Sequence, residues 1–240
     1  MEVYLRGSLG TQVLQLMGGI ARSIENNDPV DLILHSIGGS LANHSRINYV
    51  KNIFNLDPWW ASRKLNFIDD VRKSPSWDYN NIKLILKHRE EVLKILDFQL
   101  RPVEKSISLI HARFGDRQIL SNLDYQQLYN DMVGYPGHSD PQLVFTMTDD
   151  PLKARELFLC PIILTENGPI SDWVFALSWA STVAGGLSTF TFSMLMIDPN
   201  KTVLYRDEKG SNGPHKMVHG EFELIRKLID EGCFPNAGWM

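Results

Sequence analysis

The stretch Ser108-Leu-Ile-His111-Ala-Arg113-Phe-Gly115-Asp116-Arg117 is an apolar run that ends in an imidazole, a guanidinium, a glycine and a carboxylate. A short apolar segment of this kind fits a buried strand of a parallel sheet. Because ligands in open α/β sheets bind outside the carboxyl ends of the strands, Arg113 is predicted to lie at the ligand end. Its planar guanidinium suits a phosphate group, and Gly115 allows a tight turn or a close backbone approach. The segment therefore predicts a buried strand that presents a site for a phosphorylated ligand.

Strand-like and helix-like segments alternate along the chain, which is the pattern of α/β architecture. Strands are predicted at residues 2–6, 30–36, 107–112, 143–147 and 162–165. Helices are predicted at residues 12–25, 44–54, 82–98, 125–132 and 221–230, with one more from Pro151. The Arg101-Pro102 step follows a helix and predicts two domains, residues 1–100 and 101–240. With only two strands predicted, the first domain is expected to be the reduced one.

The composition and the net charge of the chain exclude several classes of binding partner. The chain has 240 residues, 43% of them hydrophobic, and a formal net charge of −4. Without a basic run to neutralise phosphates in series, neither nucleic acid nor an anionic membrane is an expected partner. The two cysteines, Cys160 and Cys233, are too few and too distant for a disulfide scaffold or a zinc cluster. No secretory signal opens the chain, so a cytoplasmic protein is expected.

Residues 173–197 contain no charged side chain and, as one helix, would be long enough to cross a bilayer. Seven Ser and Thr residues and the pair Gly185-Gly186 favour a different interpretation. They are expected to break the segment into a helix, a short strand or turn, and a second helix. No transmembrane segment is therefore predicted.

Four segments stand out in colinear order: Gly7-Ser8-Leu-Gly10-Thr11-Gln12, His111-Ala-Arg113-Phe114-Gly115-Asp116, Thr148-Asp149-Asp150-Pro151 and Ser188-Thr189-Phe190-Thr191. They resemble motifs of the fucosyltransferase superfamily, which includes bacterial α-1,2, rhizobial and animal α-1,6 and protein O-fucosyltransferases. The resemblance implies a GT-B-like fold, with two Rossmann-like halves facing a cleft. The N-terminal half would lie on the acceptor side, and the C-terminal half would bind the nucleotide-sugar donor.

The resemblance also implies a role for each motif. Arg113 would contact the donor diphosphate and stabilise the charge on the leaving GDP, and Asp172 would pair with guanine. Asp116 would orient Arg113 or act on the acceptor hydroxyl. The other donor-binding residues implied are Gly7, Ser8, Gly10, Thr11, His111, Asp149, Asp150, Ser188, Thr189 and Phe190.

Each of these residues also has a structural interpretation. Arg113 can be a surface arginine and His111 a core side chain, while Asp116, Asp172 and one of Asp149 and Asp150 can cap helices. The chain departs from the family pattern at four positions. Phe114 stands where the family has a second arginine, Thr11 where it has asparagine, and Gly186 and Leu187 where alanine and asparagine are usual.

The implied activity is inverting, metal-independent transfer of fucose from GDP-fucose to a glycan hydroxyl, with no further cofactor. A metal-dependent transferase that uses Asp149 and Asp150 is one alternative. A GDP-sugar-binding module without catalysis and a transferase that uses another nucleotide sugar are two others. Asp116 and His44 are the candidates for the general base. Trp59, Trp60 and Trp77 either stack on acceptor sugars or belong to a core.

Overall fold

The computed structural model describes residues 2–5, 9–27, 31–35, 50, 53–54, 66–68, 79–98, 107–114, 120–134, 144–159, 162–163, 169–198, 200–206 and 219–240. The chain divides into two compact units, Met1–Gln99 and Leu100–Met240. Within the described ranges each unit carries a parallel sheet with helices. The predicted α/β class, with two Rossmann-like halves and the N-terminal one reduced, is thereby confirmed.

The first unit contains three described strands, paired in parallel in the order β1-β2-β3. Its elements are β1 (Glu2–Leu5), α1 (Leu9–Asn26), β2 (Asp31–His35), β3 (Asn66–Ile68), α2 (Tyr79–Lys87) and α3 (Arg89–Leu96). Two of these strands were predicted, whereas the three-residue β3 was not. Helix α1 is largely buried, and Leu14, Leu16 and Met17 are fully inaccessible.

The single helix predicted over residues 82–98 is wrong, because the structure has two helices, α2 and α3, on either side of His88. Lys87 Nζ and His88 Nε2 both contact the Glu25 carboxylate of α1, at 2.8 and 2.5 Å. In a regular helix two successive side chains point about 100° apart. Their shared contact with one carboxylate thus coincides with the break between α2 and α3.

The second unit contains six described strands, all parallel. Its elements are β4 (Ile107–Ala112), α4 (Asn122–Val133), β5 (Val144–Thr148), α5 (Pro151–Leu157), β6 (Ile162–Ile163), α6 (Pro169–Trp179), β7 (Ala180–Gly186), α7 (Thr189–Ile197), β8 (Thr202–Arg206), α8 (His219–Asp230) and β9 (Ala237–Trp239). Strands β8 and β9 were not predicted. The strands that were predicted here begin within one residue of the observed positions.

The order of the strands decides where a ligand can bind. The sheet runs β6-β5-β4-β7-β8-β9, so the chain builds outward from β4 on one side and then from β7 on the other. This is the doubly wound order, in which ligands bind at the carboxyl ends of the two central strands, where the direction of winding reverses. The topological switch point of the second unit therefore lies between β4 and β7.

The uncharged segment 173–197 is divided, as predicted, into the end of α6, the strand β7 and the helix α7. The ammonium group of buried Lys201 closes the end of α6. It donates to the carbonyl oxygens of Ala176 at 3.1 Å and Leu177 at 2.7 Å, and also to that of Ala180. Among the described residues, no helix combines the length and the apolar character that crossing a bilayer requires.

Candidate functional site

The ends of β4 and β7 are in close contact at the switch point. His111 pairs with Gly185 in the parallel register. A Cβ atom at position 185 would lie only 2.9 Å from the carbonyl oxygen of His111, so the two backbones can approach this closely only because residue 185 is glycine. The residues that follow β4 and β7 are thus brought side by side.

Arg113 follows β4 directly, and its main chain is held by Tyr125 of α4. The Arg113 N–H donates to the Tyr125 hydroxyl at 2.9 Å, and that hydroxyl donates to the Arg113 carbonyl oxygen at 3.3 Å. Burial holds the pKa of Tyr125 well above its ordinary value, so the hydroxyl keeps its proton at neutral pH. The half-buried Arg113 side chain is therefore anchored at its base.

Asp149, which follows β5, contacts the Arg113-Phe114 segment at the end of β4. Its Oδ1 accepts a hydrogen bond from the Phe114 N–H at 2.8 Å, and its Oδ2 lies 3.8 Å from Arg113 Nε. At that distance the ion pair is loose, and both side chains remain about one-third exposed. The Arg113 guanidinium therefore lies beside the Asp149 carboxylate at the ends of β4 and β5.

Asp150 has a structural role, as the capping interpretation predicted. Its Oδ1 accepts from the Lys153 N–H at 3.1 Å, and Pro151 occupies the first turn of α5. The Thr148 hydroxyl accepts from the Asp150 N–H at 3.1 Å and fixes the turn. Asp150 therefore caps α5, whereas Asp149 binds the main chain of the segment that follows β4.

Ser188 to Phe190 form the start of α7 at the end of β7. Ser188 is the N-cap residue: its hydroxyl accepts from the Thr191 N–H at 3.2 Å and lies 3.0 Å from the Thr191 hydroxyl. With the Ser188 hydroxyl engaged in this way, the segment would meet an anion mainly through main-chain N–H groups and the helix dipole. The N–H groups at the start of a helix have no partner within the helix, which makes this end a site suited to phosphate.

His111 links the two strand ends. Its ring stacks on that of Phe190, with 4.6 Å between centroids and 13° between planes. Burial, and secondarily the charge of Arg113, lowers the pKa of His111 from 6.5 to about 4. Within the described part of the chain, its buried Nδ1 has no hydrogen-bond partner. His111 is therefore a neutral ring at physiological pH.

Asp172 lies in the first turn of α6, which begins at Pro169 rather than at Asp172 as predicted. Trp173 donates from Nε1 to the Ser193 hydroxyl at 2.9 Å, and each is the fifth residue of its helix. This hydrogen bond joins α6 to α7 at the residue next to Asp172. Burial raises the pKa of Asp172 to about 6, and its buried Oδ1 lacks a partner among the described residues.

The remaining predicted residues fall elsewhere. Gly10 and Thr11, predicted to lie in a loop before a helix at residue 12, are instead part of α1, because the helix begins at Leu9. The other candidate site residues lie outside the described ranges: Gly7, Ser8, His44, Trp59, Trp60, Trp77 and Asp116. Of the predicted helix at 44–54 the structure describes only its end, where the Phe54 N–H donates to the Val50 carbonyl oxygen at 3.0 Å.

Sequence reasoning missed three residues that shape this site: Tyr125, Gly185 and Lys153. Lys153 lies with its ammonium 4.9 Å above the centroid of the Phe114 ring. A glycine inside a strand signals close backbone approach, so Gly185 was detectable from its position. Tyr125 and Lys153 act through contacts with β4 that a linear sequence does not display. Among the described residues, no cluster of three or more His, Cys, Asp or Glu side chains could hold a metal ion.

Comparisons with known proteins find no matching family model and no matching curated protein. Solved structures do show similarity. NodZ α-1,6-fucosyltransferase, in a crystal soaked with GDP-fucose, is 15% identical with a TM-score of 0.45, over 89% of this chain and 97% of that chain. E. coli heptosyltransferase WaaC with ADP is 8% identical with a TM-score of 0.40, over 96% of this chain and 98% of that chain. Since both TM-scores lie below 0.5, these neighbours assign neither substrate nor reaction to this chain.

Proposed function

We propose that this protein is a glycosyltransferase whose second unit binds a nucleoside-diphosphate sugar at the switch point between β4 and β7. One observation carries the proposal. Arg113 and the N-terminus of α7 follow two neighbouring parallel strands, His111 and Gly185 being paired between them. A guanidinium and a helix N-terminus at this edge are two independent anion-binding groups, and a diphosphate offers an anionic group to each.

In the proposed reaction, an acceptor hydroxyl oxygen attacks the anomeric carbon of the sugar. The bond from that carbon to the diphosphate oxygen breaks, the nucleoside diphosphate leaves with the electron pair, and the hydroxyl proton passes to a base. Arg113 and the start of α7 stabilise the charge that develops on the leaving diphosphate. The neutral ring of His111 holds Phe190, and so the first turn of α7, against the end of β4.

For the donor we propose GDP-fucose, transferred with inversion to a glycan hydroxyl. The support is the colinear motif resemblance, together with Asp172, whose carboxylate offers two acceptors for the N1–H and exocyclic amine of guanine. Its buried Oδ1, which has no partner among the described residues, suits that role. The candidates for the general base, Asp116 and His44, lie outside the described residues.

We favour transfer without a metal ion. Asp149 accepts a hydrogen bond from the Phe114 N–H and forms an ion pair with Arg113, while Asp150 caps α5. A divalent cation held by these two carboxylates would compete with those contacts and would lie beside a guanidinium. Retention of activity in a chelator is the expected result, and loss of activity would favour the metal-dependent alternative.

The test is calorimetric titration with GDP-fucose, GDP-mannose, UDP-glucose and GDP in the presence of a chelator. We expect guanine nucleotides to bind, Arg113→Ala to abolish binding, and the exposed control Arg155→Ala to leave it unchanged. Binding of none of these compounds would refute the proposal. Release of GDP in the presence of glycan acceptors then separates a transferase from a module that only binds the donor.

A further inference from the structure

Lys153 and Phe114 form a pair at the edge of the sheet that the proposed mechanism has not used. Phe114 turns its side chain into the core of the second unit, where its ring lies 4.9 Å from that of Tyr125 and 6.3 Å from that of Phe158. The Lys153 ammonium lies 4.9 Å from the centroid of the Phe114 ring. Arg113 is therefore followed by the buried ring of Phe114, and the Lys153 ammonium lies over that ring.

Charged side chains follow both β4 and β5, and the charge of Lys153 offsets part of theirs. Arg113 follows β4, and Asp149 and Asp150 follow β5. Among the described residues at these strand ends, Lys153 balances the second carboxylate, and without it their net charge would be negative. A diphosphate would be repelled by such an edge, because repulsion between like charges is only weakly screened in a half-buried site.

The geometry of the contact suits a lysine that turns to a ligand. The Asp150 cap fixes the Lys153 main chain, and the ammonium of this half-buried residue lies over the Phe114 ring. A compact ammonium on a flexible stem can follow a phosphate over a few ångströms, which the more rigid fork of an arginine does less readily.

We infer that Lys153 is a specificity-determining residue that binds the terminal phosphate of the nucleotide and makes the site prefer diphosphates to monophosphates. This inference rests on the proposed function, since it assumes a nucleotide at the switch point. It adds to that function a second cation, supplied by α5 rather than by the strand end that carries Arg113.

The experiment compares binding of GDP and GMP to the wild type, Lys153→Met, Lys153→Arg and Arg155→Met by calorimetry, with thermal unfolding measured on each variant. Methionine is an unbranched apolar side chain of similar length, and it removes the charge. We expect Lys153→Met to lose about tenfold in GDP affinity, the equivalent of one charge-assisted hydrogen bond, with GMP affinity nearly unchanged. Lys153→Arg is expected to keep most of the preference for GDP, and the exposed Arg155→Met to keep all of it.

An unchanged ratio of GDP to GMP affinity in a folded Lys153→Met variant would overturn the inference while leaving the proposed function standing. Equal losses for both nucleotides, accompanied by a lower melting temperature, would also overturn it, because they indicate a packing role only. If Lys153→Met does not fold, Lys153→Gln serves for the same comparison. Failure of the wild type to bind either nucleotide would refute the proposed function, and the inference with it.

Discussion

Replacing Gly185 by alanine tests whether the close approach of β4 and β7 builds the site. The added Cβ would lie 2.9 Å from the His111 carbonyl oxygen, well inside ordinary contact, and the atom it meets belongs to the backbone. Separating the central strands is expected to cost about 1–3 kcal/mol, as overpacking of a core does. Loss of glycine's backbone freedom returns about 0.5–1 kcal/mol, so the net effect is destabilising or close to neutral.

Gly238 provides the matched control. A Cβ at position 238, in the strand β9, would meet Leu204 Cδ2 at 3.8 Å, which is an ordinary contact with a flexible side chain. Because both substitutions remove a similar amount of backbone freedom, the difference between the two variants isolates the clash. Urea unfolding should therefore place Gly185→Ala about 1–3 kcal/mol below Gly238→Ala in stability.

Donor affinity should fall in Gly185→Ala as well, because the ends of β4 and β7 move apart, and should be unchanged in Gly238→Ala. Calorimetric titration with GDP measures this effect. Equal stability of the two variants, or unchanged GDP affinity in Gly185→Ala, would refute the reasoning that this backbone contact shapes the site.

Three further predictions concern side chains around the site and its supporting helices. Tyr125→Phe removes the hydroxyl that pairs with both main-chain polar groups of Arg113, and is expected to cost about 1–3 kcal/mol of stability and to weaken GDP binding; unchanged urea unfolding would contradict it. Because the folded-state pKa of His111, about 4, lies below the unfolded value of 6.5, the unfolded chain binds more protons between these values. Stability should thus fall as pH drops from 6.5 toward 4, and His111→Phe should flatten that slope in unfolding experiments, whereas an unaltered slope would refute the assignment. Lys201→Met leaves three carbonyl oxygens without their donor and should cost about 1–3 kcal/mol, against about 0.5 kcal/mol or less for the exposed control Lys227→Met, as thermal unfolding would show; equal losses would contradict the role given to Lys201.

The strands and helices of the second unit were largely predictable because their signals are local. The segment 107–112 is a short apolar run, Asp150-Pro151 marks a helix start, and Gly185-Gly186 interrupts an uncharged stretch. Such signals depend on the intrinsic preferences of a few neighbouring residues. They predicted β4, the start of α5 and the division of residues 173–197.

The predictions that failed depend on contacts between distant parts of the chain. The break at His88 arises where Lys87 and His88 share Glu25, which lies more than 60 residues away in the sequence. Strand β8 is the exception, because the β-branched and aromatic residues of Thr202–Arg206 are a local strand signal, whereas β9 is too short to give one. Local patterns contain no information about which surfaces meet.

The candidate site shows the same division. Arg113 could be singled out because a charged residue at the end of a predicted strand suggests a ligand site, whereas the start of α7 could be singled out only through the motif resemblance. The different duties of Asp149 and Asp150 could not be separated, because adjacent carboxylates look alike until one is seen capping α5. Likewise, the core position of Phe114 follows from its packing and not from its neighbours in sequence.

The central claim is that the end of β4 binds a nucleoside diphosphate through Arg113. Its most direct test is a calorimetric titration of the full chain with GDP in a chelator, with Arg113→Ala measured beside Arg155→Ala. The account predicts saturable binding that is lost in Arg113→Ala and kept in Arg155→Ala. Absence of binding in the wild type, or equal binding by Arg113→Ala, would contradict it.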